Sequence, residues 1–173
     1  MSRQTTRSGR GAQRSALAVV STPAAQPRPS VLFCSHCGQR AAWETMSDAP
    51  SRVCGGCGLG LLLECGADVA PAAGGAFMVV DSSLSVCAVS AAAERLLETK
   101  ETDAVNRHVT ELLVPADTEA QVRQNLAVAI TWAARGDNET RKVKVRPANA
   151  FGIRISARIA SCGPPKAALV TFE

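Results

Sequence analysis

The chain has 173 residues, a formal net charge of +4, 46% hydrophobic and 20% charged residues. That balance excludes a disordered acidic chain and a low-complexity fibre, and it leaves enough apolar surface for a core. Aromatic residues make up only 3%, with no Tyr, which argues against an aromatic-stacking nucleic-acid platform or a ring-walled flavin pocket and leaves the core to Ala, Val, Leu and Ile.

The charge is uneven. Residues 1–30 hold Arg3, Arg7, Arg10, Arg14 and Arg28 and no acid, whereas the remaining 143 carry 14 basic and 15 acidic side chains. The first 30 residues are rich in Ser, Thr, Gly, Pro and Gln and lack apolar periodicity, so they are predicted to be a disordered basic tail. Gly9, Gly11, Pro23, Pro27 and Pro29 break the amphipathic helix that an organellar transit peptide needs. The longest early apolar run, Ala16–Val20, is shorter than a signal-peptide core, and no stretch approaches the roughly 18 to 20 apolar residues of a membrane span. The expectation is a soluble cytoplasmic protein with no membrane partner.

Residues 31–65 hold five of the seven cysteines in a window too short for a sizeable core, so the segment needs another staple. Cys34-Ser35-His36-Cys37-Gly38 and Cys54-Gly55-Gly56-Cys57-Gly58 are separated by 16 residues, counted from Cys37 to Cys54. A two-residue gap turns both thiolates of a knuckle toward one ion, and the following Gly permits the turn that brings backbone amides to the sulfurs. The spacing reads as a zinc site with Cys34, Cys37, Cys54 and Cys57 as the metal ligands. Four thiolates leave no open position, so the ion would be structural and would leave the site about −2. Iron is the second reading, because both knuckles have the Cys-x-x-Cys-Gly form of rubredoxins, although only Phe33 and Trp43 could give aromatic cover. Separate dithiol redox pairs are the third. Residues 31–65 resemble the zinc-ribbon family, which implies that each knuckle sits at a strand turn. Cys65, Cys87 and Cys162 lack partner spacing and are expected as small core residues. His36 is expected to face solvent or support the ligands, and His108 to be structural or exposed.

Residues 66–75, with Pro71, Gly74 and several Ala, read as a linker. From residue 76 to 173 the pattern is that of an ordinary domain. Phe77–Val80 and Ser85–Val89 are predicted strands joined by an Asp81-Ser82-Ser83 turn. Ser90 should cap a helix over 91–97. A helical turn is expected around Val109, Leu112 and Leu113, ended by Pro115. The longest helix is predicted over 118–135, with Thr118 and Gln121 at capping-box spacing and Gly136 at its stop. Strands are predicted around Lys142–Arg146, Ile153–Ile159 and Ala167–Phe172. This order implies an α+β fold: an antiparallel sheet with helices on one face.

The hairpin Phe77–Val86, the helix over 91–97 and the later Asn106-Arg107-His108-Val109-Thr110-Glu111-Leu112-Leu113 resemble a PAS domain, over about residues 76–173. Ser90 stands where the family commonly has Asn, and Glu98 and Asn106 where it commonly has Gly; Asn tolerates a left-handed backbone. The resemblance implies a sensing or interaction module with a ligand space between sheet and helices. The flavin-binding branch's Asn-Cys-Arg-Phe-Leu type motif is missing, and residues 118–135 contain no His for haem, so neither cofactor is expected and the ligand stays unnamed.

Lys142, Lys144 and Arg146 share one strand face, and Arg154 and Arg158 alternate against Ile153, Ile155 and Ile159 in the same way. Paired, these strands would make a cationic outer face: a solvated surface, or a docking face for an acidic partner or nucleic acid. The leading functional reading is a signalling or regulatory protein, acting in transcription regulation, whose output leaves through a protein partner or a homodimer. The alternative is a zinc-ribbon regulator that binds nucleic acid through its Arg-rich tail, a sequence-independent and salt-dependent mode. No paired carboxylates, nucleophile-base pair, phosphate loop or open metal site points to an enzyme.

Overall fold

The computed structural model describes residues 29–41, 52–116 and 120–173. The expected tail up to residue 28, Trp43 and the Thr118 cap lie outside the described residues. The elements are β1 (Ser30–Cys34), β2 (Arg40–Ala41), β3 (Leu62–Gly66), β4 (Phe77–Val80), β5 (Val86–Val89), α1 (Ala91–Leu97), α2 (Glu101–Ala104), β6 (Leu113–Pro115), α3 (Ala120–Ala134), β7 (Arg141–Pro147), β8 (Ile155–Gly163) and β9 (Ala167–Phe172). Among the described residues no helix is long and apolar enough to cross a membrane.

The fold is α+β, and every strand pairs antiparallel in one sheet. The order β2-β1-β3-β8-β9-β4-β5 is extended by β7 on β8 and β6 on β7. One edge of β8 pairs with β9; the other is shared. Its first half, Ile155 to Ile159, faces Val145 to Arg141 of β7, and Cys162 and Gly163 beyond it face Cys65 and Glu64 of β3. The cysteine-rich segment therefore joins the sheet of the C-terminal domain through a strand edge that β7 leaves unpaired.

Local sequence explains the elements. Asp81 accepts from the amides of Ser83 and Ser85 at 2.8 and 2.9 Å, closing the β4–β5 turn. Ser90 caps α1 by accepting from Ala93 N at 3.2 Å. Its hydroxyl also accepts from Phe77 N and donates to Gly75 O. Glu98 ends α1 in the left-handed region at φ 49°, and Asn106 adopts φ 66°, so both non-glycine residues take the conformation that glycine would adopt most easily.

Three local expectations are corrected. Leu113 does not continue a helical turn: a 3-10 turn covers only Val109–Glu111, and Leu113–Pro115 pairs with Val145–Pro147. Ile153 lies outside β8 and is exposed, because its pairing partners begin at Ile155. Cys87 is exposed rather than core: Val79 pairs with Ala88 and Val80 with Val86, and this bulge leaves Cys87 unmatched and turned out. Cys65 and Cys162 are buried, as expected.

Both faces of the sheet carry a core. On the inner face Met78, Val80, Ile159 and Val170 pack against Leu97, Leu126, Ile130 and Ala133 of the helices. On the outer face Phe77, Val79, Ala160, Cys162 and Leu169 pack against Phe33 and Leu63 of the cysteine-rich segment and Val69 and Ala70 of the segment after it.

Candidate metal centre

The two knuckles are built alike. Cys34 ends β1, and the chain reverses through Ser35–Cys37 into β2. Cys54 follows Val53, which bridges to Leu61, so the second knuckle also closes a strand turn. Gly38 N donates to Cys34 O and Gly58 N to Cys54 O at 3.0 and 2.8 Å. Both glycines are left-handed, at φ 72° and 69°, a conformation any Cβ would strain. Ser35 N donates to Leu61 O at 2.8 Å and Leu61 N to Ser35 Oγ at 3.0 Å, tying one knuckle to the other.

This geometry brings all four expected ligands together. The Sγ atoms of Cys34, Cys37, Cys54 and Cys57 lie within 4.8 Å of one another. Cys34 and Cys57 are 3.6 Å apart, and Cys37 and Cys54 4.0 Å. Bonds of about 2.3 Å to one tetrahedral zinc place sulfurs about 3.8 Å apart, between those two distances. The four cysteines are compatible with a bound metal ion such as zinc.

The backbone prepares the sulfurs for charge. The amides of His36 and Cys37 both donate to Cys34 Sγ at 3.4 Å. At the second knuckle the amides of Gly60 and Leu59 pull the Cys57 thiol down to about 6, whereas burial pushes Cys34 up to about 12. Of these two sulfurs Cys57 holds the thiolate more readily, because backbone amides point at it while burial works against a charge on Cys34. Gly60 must stay bare, since a Cβ there would collide with Cys34 Sγ and lie 2.8 Å from His36 Cβ.

Phe33 gives the sulfurs no cover. It neighbours Cys34 on β1 and so points to the opposite face, where its ring meets Phe77 edge-on with centroids 5.8 Å apart. Its role is to seat the cysteine-rich segment on the sheet. Gly38 belongs to the same seat: a Cβ there would stand 2.8 Å from Ala72 O and 3.0 Å from the Phe77 ring. Gly74 N donates to Cys37 O, and Arg40 and Arg52 reach Ala70 O and Pro164 O.

Sequence reasoning missed one contact. His36 Nδ1 lies 3.2 Å from Glu101 Oε2, while Glu101 Oε1 accepts from Val89 N at 3.0 Å. Glu101 N in turn donates to Glu94 Oε1 at 2.7 Å. A side chain between two cysteine ligands thus touches α2 and, through it, the end of β5. The signal in the sequence was His36 itself, whose partner lies 65 positions away. His108, by contrast, is local, accepting from Thr110 N at 3.4 Å.

Between sheet and helices lies the inner core. A cleft of about 750 Å³ lies instead along the β3–β8 seam, beside Cys65, Cys162, Asp68 and Lys166.

No protein-family model matches the chain, and no curated protein is significantly similar to it. Among solved structures, the PAS domain of nitrogen regulation protein NR(II) from Vibrio parahaemolyticus matches 57% of this chain and 86% of its own length, at 14% identity and TM-score 0.41. The PAS domain of an HTR-like protein from Haloarcula marismortui matches 57% of this chain and 84% of its own, at 16% identity and TM-score 0.42.

Proposed function

We propose that the chain is a regulatory module in which a structural zinc ion, held by Cys34, Cys37, Cys54 and Cys57, staples a ribbon at residues 31–65 onto a PAS-like sensory or interaction domain at residues 76–173. Residues 66–75 join the two and pack between them. The observation that carries this reading is the four-sulfur cluster in a segment packed on the outer face of the sheet, with Phe33 against Phe77 and His36 against Glu101. Zinc is favoured over iron in that Phe33, one of the two rings that could cover the sulfurs, is committed to the sheet. A closed set of four thiolates supplies folding free energy and no open position for chemistry. The PAS-like reading is supported by the hairpin, the Ser90-capped helix, the left-handed Glu98 and Asn106 and the three closing strands. Its output, as in transcription regulation, would leave through a protein partner.

Native mass spectrometry of the intact protein tests this. One zinc per chain is expected, lost in a Cys37→Ser, Cys54→Ser variant. Metal-free mass in protein purified anaerobically would overturn the assignment.

A further inference from the structure

The outer face of the sheet is only half covered. The ribbon closes it over β9, β4 and the end of β8, whereas β7 and the start of β8 carry a row of cations. Lys142, Lys144 and Arg146 alternate with the inward Val143 and Val145. Across the ladder Lys142 faces Arg158 and Lys144 faces Ser156, so no acid answers either lysine there, and like charges set opposite each other cost stability. Arg158 is held by Glu173 at 2.7 Å; among the described residues of this row the cations without an ion-pair partner are the two lysines and Arg146. At the end of this row Phe151 is 86% exposed, with the Arg146 guanidinium 5.0 Å from its ring centroid.

We propose that this row is a binding face for single-stranded nucleic acid, with phosphates along Lys142, Lys144 and Arg146 and one base stacked on Phe151. Charge complementarity selects a polyanion. Side chains two residues apart on a strand stand about 6.7 Å apart, a spacing that suits successive phosphates of an extended strand. The exposed ring selects a nucleic acid over an acidic protein, because every base offers a face to stack and stacking tolerates any sequence. One ring, not a platform, limits the site to weak, sequence-tolerant binding.

Fluorescence anisotropy of the full-length protein with labelled oligo-dT and oligo-U of about 20 nucleotides tests the proposal. Lys142→Glu with Lys144→Glu should weaken binding tenfold or more at about 0.15 M salt. It should also shrink the slope of log affinity against log salt by about 1.4, two single-strand phosphate contacts. Phe151→Ala should weaken binding about fivefold or more. The same losses are expected when Arg3, Arg7, Arg10, Arg14 and Arg28 are all replaced by Ser, which removes the tail's contribution. Should the reversed pair fail to melt cooperatively, Lys142→Gln with Lys144→Gln must give the same change in slope. Unchanged affinity in these variants would overturn the proposal and leave the lysines as guards of the β7 edge. Equal competition by polyglutamate with Phe151→Ala silent would also overturn it, in favour of an acidic protein partner.

Discussion

The two faces of the sheet are closed by different means. Among the described residues the inner core comes from positions 76 to 172, and its helices bring Leu97, Leu126 and Ile130 onto aliphatic strand residues. The outer core joins Phe33 and Leu63 to Phe77, Val79 and Leu169 over a floor of Ala88, Ala160, Cys162 and Ala167. Those small residues let the cysteine-rich segment approach closely, but they bury little area, so Phe33 and Phe77 supply much of the adhesion. One face is therefore closed by ordinary burial. The other depends on a 35-residue segment that is too short for a sizeable core of its own and holds four clustered sulfurs.

The largest separation of the two faces should come from metal removal. With structural zinc sites in small peptides binding by about 10 to 16 kcal/mol, chelation should abolish hydrogen-exchange protection in β1 and β3 while β4, β8, β9 and α3 stay protected. Equal loss on both faces would erase the distinction. Next, Phe33→Ala should cost about 3 to 5 kcal/mol in chemical denaturation and leave the metal content intact, whereas Ile130→Ala, at about 2 to 5 kcal/mol, should act on the helix side and leave the exchange pattern of β1 and β3 unchanged.

A finer test sits at the second knuckle. Gly60→Ala places a methyl against Cys34 Sγ, while Gly55 has open space around the equivalent position. Competition with a zinc chelator should show metal affinity reduced tenfold or more for Gly60→Ala and unchanged for Gly55→Ala. The smallest effect belongs to the bridge between the faces. His36 and Glu101 are each about 30% exposed, and a double-mutant cycle of His36→Ala and Glu101→Gln should return a coupling of about 0.5 kcal/mol.

On the inner side a pH effect is expected at the β4–β5 turn. Partial burial alone would raise Asp81, but the Ser83 hydroxyl and the Ser85 and Ser83 amides hold its carboxyl below its ordinary 3.8. A depressed folded value means that the stabilisation is complete above pH 3.8 and is lost as pH falls through the lower folded value. Thermal melting below pH 4 should therefore show a shallower acid dependence in Asp81→Asn.

The knuckles were legible in sequence because their chemistry is local: a Cys-x-x-Cys-Gly run fixes both its sulfurs and its left-handed turn. The hairpin and the caps were legible for the same reason. Leu113–Pro115 was not, since its strand exists only through Val145–Pro147. Cys87 was misjudged because the bulge that exposes it is a property of its pairing with β4.

By itself, then, the sequence determined the four-sulfur constellation, the α+β order of elements and the alternation that makes β7 cationic, all set by residue spacing within single segments. Only the tertiary structure decided that the cysteine-rich segment shares the sheet, that Phe33 serves the core rather than the sulfurs, and that His36 meets Glu101. Those outcomes depend on which strand edge β7 leaves open on β8 and which face of the sheet is floored by small residues, and no spacing along the chain records either.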